Sequence, residues 1–114
     1  MSFNDIELHK IKKAVGGLCN KRTPQHKKDQ LRYEYEIEKQ NVFIYEIRPL
    51  WNNPKEFTKL SFAKLTYVKS QRIWKLYWQR ANGKWIKYTD KNWNKSLGSL
   101  IQEIDYDEFG CFFG

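Results

Sequence analysis

Lysine and tyrosine side chains alternate in the middle of this sequence in a pattern that suits the binding of a flexible polyanion. Lys64 and Lys75 supply ammonium groups that attract phosphates, and Tyr77 supplies a ring on which a base can stack. The predicted contacts are Lys64, Lys75, Tyr77, Tyr88, Arg80 and Lys87. The pattern predicts a non-enzymatic binding module for single-stranded nucleic acid or another polyanion, including an acidic protein.

The same predicted surface also carries apolar side chains, which favour a different use. Val68, Ile73 and Ile86 fall among the lysines and tyrosines. Exposed apolar side chains grouped on a sheet are typical of a dimer interface or a protein-binding surface. A homodimer or protein-interaction module using this face is therefore the first alternative to polyanion binding.

The net charge agrees with an anionic partner. Twenty-one Lys and Arg side chains face 13 Asp and Glu, giving +8. The excess is local, because residues 52–95 carry +9 whereas residues 96–114 carry −4. Spare lysines also keep a protein soluble, so the charge alone does not decide the function.

Motifs of known enzymes are scarce in the sequence. It contains no His-Glu-x-x-His, no Cys-x-x-Cys, no Gly-x-Ser-x-Gly and no phosphate-cradling glycine loop. Its two histidines, His9 and His26, are predicted on the exposed side of a helix and in a basic loop. We expect no catalytic residue, no metal and no cofactor.

Two groups of carboxylates in the sequence have the residue types of a cation site. Glu46 and Arg48, predicted to share a strand face with Glu34 and Glu36, faintly resemble a metal-dependent nuclease core, which is the second alternative. A cross-strand ion pair between Glu and Arg is the ordinary explanation of these residues.

The second group of carboxylates, Asp105, Asp107 and Glu108, is predicted to form a solvated helix end. No twelve-residue calcium loop surrounds them. We expect these charges to pair with Lys91 or Lys95.

Cysteine usage and hydropathy indicate a compartment. Cys19 and Cys111 are too few for a secreted disulfide scaffold, and both are predicted to fill the core as reduced thiols. No signal segment opens the chain, and no apolar run approaches the roughly 18 residues of a membrane span. We expect a cytoplasmic protein with no membrane partner.

Residues 63–88 read as three antiparallel strands that position the candidate contacts. A turn at Ser70-Gln71 pairs Tyr67 with Trp74, and Asn82-Gly83 predicts a two-residue hairpin loop. The predicted core face carries Ala63, Leu65, Tyr67, Trp74, Leu76, Trp78 and Trp85. The opposite face carries Lys64, Thr66, Val68, Ile73, Lys75, Tyr77, Gln79, Ile86 and Tyr88.

A helix and a hairpin are predicted before this block. The helix begins at a Ser2 cap and buries a stripe formed by Leu8, Ile11, Val15 and Leu18. Strands follow at 31–38 and 42–51. A three-residue loop, 39–41, is preferred because it keeps Glu46 off the core face and places Phe43, Tyr45 and Ile47 there.

The remaining elements complete the predicted fold. Residues 55–60 are a link of uncertain form, and Trp93 is predicted to anchor a polar loop to the core. Ser96 caps a second helix, and Phe109, Phe112 and Phe113 are expected to be buried. The sequence thus predicts one α+β domain over residues 1–114, a two-layer fold in the order α-β-β-β-β-β-α. Its five-stranded antiparallel meander carries the N- and C-terminal helices packed on one face.

Several motifs resemble a family of small bacterial proteins catalogued as domain of unknown function 3024. The likeness is carried by Glu46-Ile47-Arg48-Pro49 with Trp51, Ala63-Lys64, Thr66-Tyr67-Val68, Trp74, Tyr77-Trp78, Trp85, Tyr88 and the ending Gly110-Cys111-Phe112-Phe113-Gly114. It covers nearly the whole chain, and the terminal motif is its most specific part. The resemblance implies a complete small protein and assigns no activity or site residue.

Overall fold

A computed structural model describes residues 3–24, 26, 30–90 and 92–113. Its elements in chain order are α1 (Asp5–Arg22), β1 (Arg32–Glu38), β2 (Asn41–Leu50), β3 (Asn53–Val68), β4 (Ile73–Gln79), β5 (Trp85–Lys87), β6 (Trp93–Asn94) and α2 (Leu97–Tyr106). The first five strands form an antiparallel meander in the order β1-β2-β3-β4-β5, which confirms the predicted α+β fold. The two-residue strand β6 pairs with β4 beside β5.

Helix α1 begins with a capping box rather than at the predicted cap. The Asn4 side chain accepts from the Glu7 amide at 2.8 Å, and the Glu7 carboxylate accepts from the Asn4 amide at 2.9 Å. The predicted Ser2 cap lies outside the described residues. The helix continues through Gly16-Gly17 to Arg22, where the Thr23 hydroxyl donates to the Cys19 carbonyl at 2.7 Å.

The core lies between the two helices and one face of the sheet, as predicted. Helix α1 contributes Ile11, Val15, Leu18 and Cys19, while Leu8, the first residue of the predicted stripe, remains 39% exposed. The other buried members of this core are Phe3, Val42, Ile44, Phe62, Ala63, Leu65, Trp74, Leu76, Tyr88, Leu97, Leu100, Ile101, Ile104 and Phe112. Both helices therefore cover the same face, which we call the helix face.

The loop between β1 and β2 is one residue shorter than predicted. Glu38 pairs with Asn41 across a two-residue loop, in which Lys39 has a positive φ of 56°. One residue of slip moves every side chain of a strand to the other face. Val42 and Ile44 are therefore buried, and the prediction of Phe43, Tyr45 and Ile47 on the core face was wrong.

The burial cost expected for Glu46 in this register does not arise. Glu46 keeps 23% of its side-chain surface exposed and forms an ion pair with Arg48 on the same strand. Its carboxylate is therefore neither fully desolvated nor unpaired, so the helix-face position is tolerated.

The loop between β4 and β5 is one residue longer than predicted, with the same consequence. The Gly83 amide donates to the Arg80 carbonyl at 2.9 Å, and Gly83 has φ +84°. This is a three-residue loop with a glycine bulge, and it pairs Gln79 with Trp85. Trp85 therefore lies on the face opposite the helices, whereas Ile86 and Tyr88 lie on the helix face, contrary to prediction.

Strand β3 is much longer than predicted and pairs with β2 along its whole length. The predicted link at 55–60 belongs to this strand, which begins directly after a Trp51-Asn52 turn. Phe62 is an extra residue between the pairs Ile44–Ala63 and Tyr45–Ser61. The far end of the hairpin extends beyond β1 and β4 as a two-stranded arm, at whose tip Trp51 is 94% exposed.

The chain end docks on the helix face through Asp107, which has a left-handed backbone with φ 51°. Its carboxylate accepts from the amides of Phe112 and Phe113 at 3.0 and 2.8 Å. Phe112 is buried against Tyr88, and Phe113 is half-buried. Phe109 is 60% exposed, so its predicted burial was wrong.

The neighbouring carboxylate, Asp105, ties the two helices together. It accepts from Arg22 Nε at 2.9 Å and also pairs with Lys21. These cations stand at the end of α1, where the partial negative charge of the helix also favours them. The hydrogen bond from Lys21, with a further one from Arg22, holds the pKa of Asp105 below its usual value. Asp105 therefore pairs with cations of α1 rather than with the predicted Lys95. The other predicted partner, Lys91, lies outside the described residues.

Candidate functional site

The sheet face opposite the helices is the surface that the sequence singled out. We call it the open face, because neither helix packs on it in the described part of the chain. Its members are identified by strand alternation and cross-strand pairing. Its aromatic rings and its lysines include Phe43, Tyr45, Lys59, Lys64, Lys75, Tyr77, Trp85, Lys87 and Trp93.

Pairing in the sheet sets the spacing of these side chains. Lys64 on β3 stands opposite Tyr77 on β4, and Tyr77 stands opposite Lys87 on β5. The side-chain amide of Gln79 donates to the Gly83 carbonyl at 3.0 Å and so stabilises the hairpin that carries Trp85. Three adjacent strands therefore present cations and rings in alternation, with neighbouring strands about 4.8 Å apart.

Aromatic rings form a continuous band across the open face. The Lys64 ammonium lies 4.6 Å from the centroid of the Tyr77 ring and 5.3 Å from that of Trp85. The Trp85 centroid is 5.9 Å from that of Phe43, which is 6.5 Å from that of Tyr45. These distances are those of cation–π and aromatic contacts, so the band is held by its own members.

The open face is electrostatically divided. On the β1 side its cations are already paired, Lys59 with Glu36 and Arg32 with Glu34 at 2.8 Å. The hydrogen bond from Lys59 lowers the pKa of Glu36. On the other side Lys64 has no ion-pair partner among the described residues, and burial lowers its pKa. Cations without an ion-pair partner among the described residues therefore lie on the half formed by β3, β4 and β5, whereas the charges on the β1 side are paired.

A shallow cavity of about 460 Å³ continues the band at the far side of β4. Trp93 stands opposite Lys75 there, and its side chain is 53% exposed. Its predicted role as a core anchor was wrong, because pairing of β6 with β4 turns the indole to the open face. The cavity is also lined by Lys87, Lys95 and the buried Ile73. The result is an exposed ring surrounded by three lysines.

The predicted contact residues fall into three groups. Lys64, Lys75, Tyr77 and Lys87 share the open face. Arg80 is exposed and begins the β4–β5 turn, at the rim of the sheet. Tyr88 is fully buried on the helix face beside Phe112, so its predicted placement on the open face was wrong.

The residues that the sequence interpretation missed are aromatic. Trp85 and Phe43 fall on the core face only with the predicted loop lengths, and each of the two observed loops differs from its predicted length by one residue. A three-residue loop ending in Gly83 is also a standard hairpin for this sequence and would have placed Trp85 correctly. Neither Lys39 nor Gln40 is a residue typical of a two-residue hairpin turn, so no signal in the sequence placed Phe43 on the open face.

The carboxylates considered for a nuclease core do not come together. Glu46 and Arg48 lie on the helix face, whereas Glu34 and Glu36 lie on the opposite face, so their predicted common face was wrong. Within the described ranges, no three His, Cys, Asp or Glu side chains are grouped as metal ligands. The side chain of His9 is exposed on α1.

Both cysteines are free thiols, and both belong to the core or pack against it. Burial, with a smaller effect of the nearby Glu34 charge, raises the pKa of Cys19 to about 11. Burial also raises the pKa of Cys111, whose side chain is half-buried. Thiols with raised pKa values are poor nucleophiles at neutral pH, which agrees with the predicted core role.

Comparison with known proteins places the chain in a family. It belongs to the family described as Domain of unknown function (DUF3024), which matches residues 3–114 and confirms the resemblance. No curated protein matches the chain, and no solved structure matches it either. Neither helix in the described residues is long and apolar enough to cross a membrane.

Proposed function

We propose that the protein is a basic, non-enzymatic binding module of the cytoplasm that holds single-stranded nucleic acid on its open face. The observation that carries the proposal is the position of Lys64 between two rings, Tyr77 and Trp85. A cation beside exposed rings binds one nucleotide through its phosphate and its base together. The same pairing of lysines with a ring recurs in the Trp93 cavity.

The geometry favours single strands over duplexes. Bases in a duplex are stacked on one another and cannot lie on protein rings, whereas an unpaired strand offers every base for stacking. The band is a broad sheet surface, with rings at intervals of about 6 Å. Such a surface suits sequence-tolerant binding, because stacking needs a flat ring and no particular base edge.

The alternative use as a homodimer face loses part of its support. Of the three apolar residues predicted on this face, Ile86 lies on the helix face and Ile73 is buried. The open face thus carries fewer accessible aliphatic side chains and more rings and lysines than the sequence predicted. Lysine is depleted at protein–protein interfaces, so the lysines of this face favour a polyanion over a second copy of the chain, whereas its rings suit either partner.

The test is oligonucleotide binding measured by fluorescence anisotropy at several salt concentrations. Each neutralised phosphate of a single strand contributes about 0.7 to the slope of log affinity against log salt, so Lys64→Ala is expected to flatten that slope. Trp85→Ala is expected to cost about 1–3 kcal/mol of binding with the slope nearly unchanged, because it removes stacking and no charge.

Matched controls lie elsewhere on the surface. Lys10→Ala removes an exposed lysine of α1, and Trp51→Ala removes the exposed ring at the arm tip. Both are expected to bind as the wild type does. Sedimentation of the pure protein supplies the opposing result: a salt-resistant dimer that ignores the oligonucleotide would assign the open face to self-association.

A further inference from the structure

A cavity of about 670 Å³ lies between α1 and the edge strand β1, away from the open face. Its volume is in the range of about 300–1,000 Å³ that small-molecule sites occupy. It is lined by His9, Lys12, Lys13, Gly16, Gly17, Cys19, Asn20, Tyr33, Glu34 and Tyr35. These residues form two walls, one from the helix and one from the strand.

The helical wall is built from one side of α1. His9, Lys13, Gly17 and Asn20 follow one another at spacings of four, four and three residues, which places them in a single row along the helix. At about 1.5 Å per residue this row is roughly 16 Å long. The wall therefore offers cations at its start, a bare stretch in its middle and an amide at its end.

The bare stretch is not required by packing. Glycine is the poorest helix former after proline, yet α1 runs unbroken through Gly16-Gly17. A Cβ at Gly17 would meet nothing within 4 Å, and one at Gly16 would lie 3.5 Å from the Tyr35 ring, an ordinary contact. Alanine would fit at both positions, so what the glycines provide is free space beside the helix backbone.

The strand wall supplies two tyrosine rings. Tyr33 and Tyr35 point to the helix face and are half-buried, with the Tyr35 ring beside Gly16. Glu34 also borders the cavity, but its carboxylate accepts a hydrogen bond from Arg32 Nε at 2.8 Å. The lysines of the helical wall attract an anionic group of a ligand to their end of the cavity.

We propose that this cavity binds a nucleoside phosphate. The phosphate lies against His9, Lys12 and Lys13, none of which has an ion-pair partner in the described ranges. The flat base lies along the exposed surface beside Gly17, where a helix side chain would otherwise stand, because the Tyr35 ring already fills the space over Gly16. The Asn20 side-chain amide supplies a donor and an acceptor for the polar edge of the base.

The proposed site is separate from the open face, and variants on each of the two surfaces distinguish this proposal from nucleic-acid binding on the open face. Calorimetric titration of the full chain with adenosine monophosphate, adenosine and inorganic phosphate measures the affinity for the whole ligand, for the base with its ribose, and for the phosphate. The monophosphate is expected to bind most tightly. Lys12→Ala with Lys13→Ala is expected to weaken the monophosphate by about tenfold or more, and adenosine little, because charged hydrogen bonds are lost.

The discriminating variant is Gly17→Leu, which fills the space with an aliphatic side chain while improving the helix propensity. It is expected to melt at or above the wild-type temperature and to lose about tenfold or more in affinity. Gly98→Ala, at the helical glycine of α2, and Lys10→Ala, at an exposed lysine of α1 outside the cavity lining, are expected to bind the monophosphate as the wild type does. The proposal is overturned by the absence of saturable binding of the monophosphate or by wild-type affinity in Gly17→Leu. Loss of monophosphate binding in Lys64→Ala would assign that binding to the open face and would overturn the proposal as well.

Discussion

Replacement of Tyr88 by Phe is expected to stabilise the protein, which is unusual for a change at a fully buried position. The Tyr88 ring is packed against Phe112 with centroids 5.0 Å apart, and Phe would keep this contact. The hydroxyl, however, has no hydrogen-bond partner among the described residues. A buried polar group without a partner costs about 1–3 kcal/mol, so removing it is expected to add roughly 1 kcal/mol to the free energy of unfolding.

Urea melts at pH 7 measure this change, and Tyr77→Phe is the matched control. Tyr77 lies half-exposed on the open face, so its loss of a hydroxyl is expected to shift stability by less than about 0.5 kcal/mol. Destabilisation of Tyr88→Phe by about 1 kcal/mol would refute the reasoning, since it would mean that the hydroxyl is satisfied in the folded protein.

The pH dependence gives a second measure of the same residue. Burial, with nearby carboxylates and Cys111, raises the pKa of Tyr88 from 10.0 to about 12. The folded protein therefore holds this proton more tightly than the unfolded chain does. The stability that this provides is complete below pH 10 and is lost as the pH rises through 12. Tyr88→Phe is expected to lose less stability than the wild type over that interval.

Three further predictions concern the chain end, the helix contact and the thiols. Asp107→Gly keeps the positive φ but removes the acceptor of two amides, so urea melts are expected to show a loss of about 1–3 kcal/mol, and an unchanged midpoint would exclude tail docking. Asp105→Asn is expected to destabilise the protein at pH 7, and the difference is expected to vanish as pH falls below the lowered pKa of Asp105; a pH-independent difference would contradict its ion pairs. Iodoacetamide at pH 8 is expected to modify Cys111 before Cys19, as peptide mass analysis would show, and the reverse order would place Cys19 at the surface.

Periodic hydrophobic patterns correctly predicted the elements that bury one face and expose the other. The β3–β4 pairing was predicted residue by residue, because Leu65 and Leu76 alternate with lysines and admit one register. The second helix was predicted from Leu97, Leu100 and Ile104, which recur at helical spacing and are all buried. In these segments the hydrophobic pattern and the local propensity agree.

Loop length was the physical quantity that the sequence did not determine. In both outer hairpins either loop leaves an acceptable mixture of apolar and polar side chains on each face, so burial does not select the register. Trp85 is the clearest example, because a tryptophan is usually assigned to a core. Here it is half-exposed and packs against Phe43 and the Lys64 ammonium. An amphipathic ring beside a cation needs no core, which is why its type gave a misleading prediction.

The burial of Phe112 was predicted, whereas the geometry that docks the tail and the length of the arm were not. The docking of Phe112 depends on the left-handed backbone of Asp107 and on two hydrogen bonds to its carboxylate, which no periodic pattern reports. The long β3 strand depends on an extra residue at Phe62, which resets its alternation after the first half. Both features arise from tertiary contacts rather than from local preference.

The five indole N–H groups offer the most direct test of the proposed interface, because the tryptophans sample distinct surfaces. Trp85 and Trp93 lie on the open face, Trp74 and Trp78 on the helix face, and Trp51 at the arm tip. On addition of a mixed single-stranded oligonucleotide at low salt, the nuclear magnetic resonance signals of Trp85 and Trp93 are expected to shift, and high salt is expected to restore them. Shifts confined to Trp51, Trp74 or Trp78, or no shift at all, would contradict nucleic-acid binding on the open face.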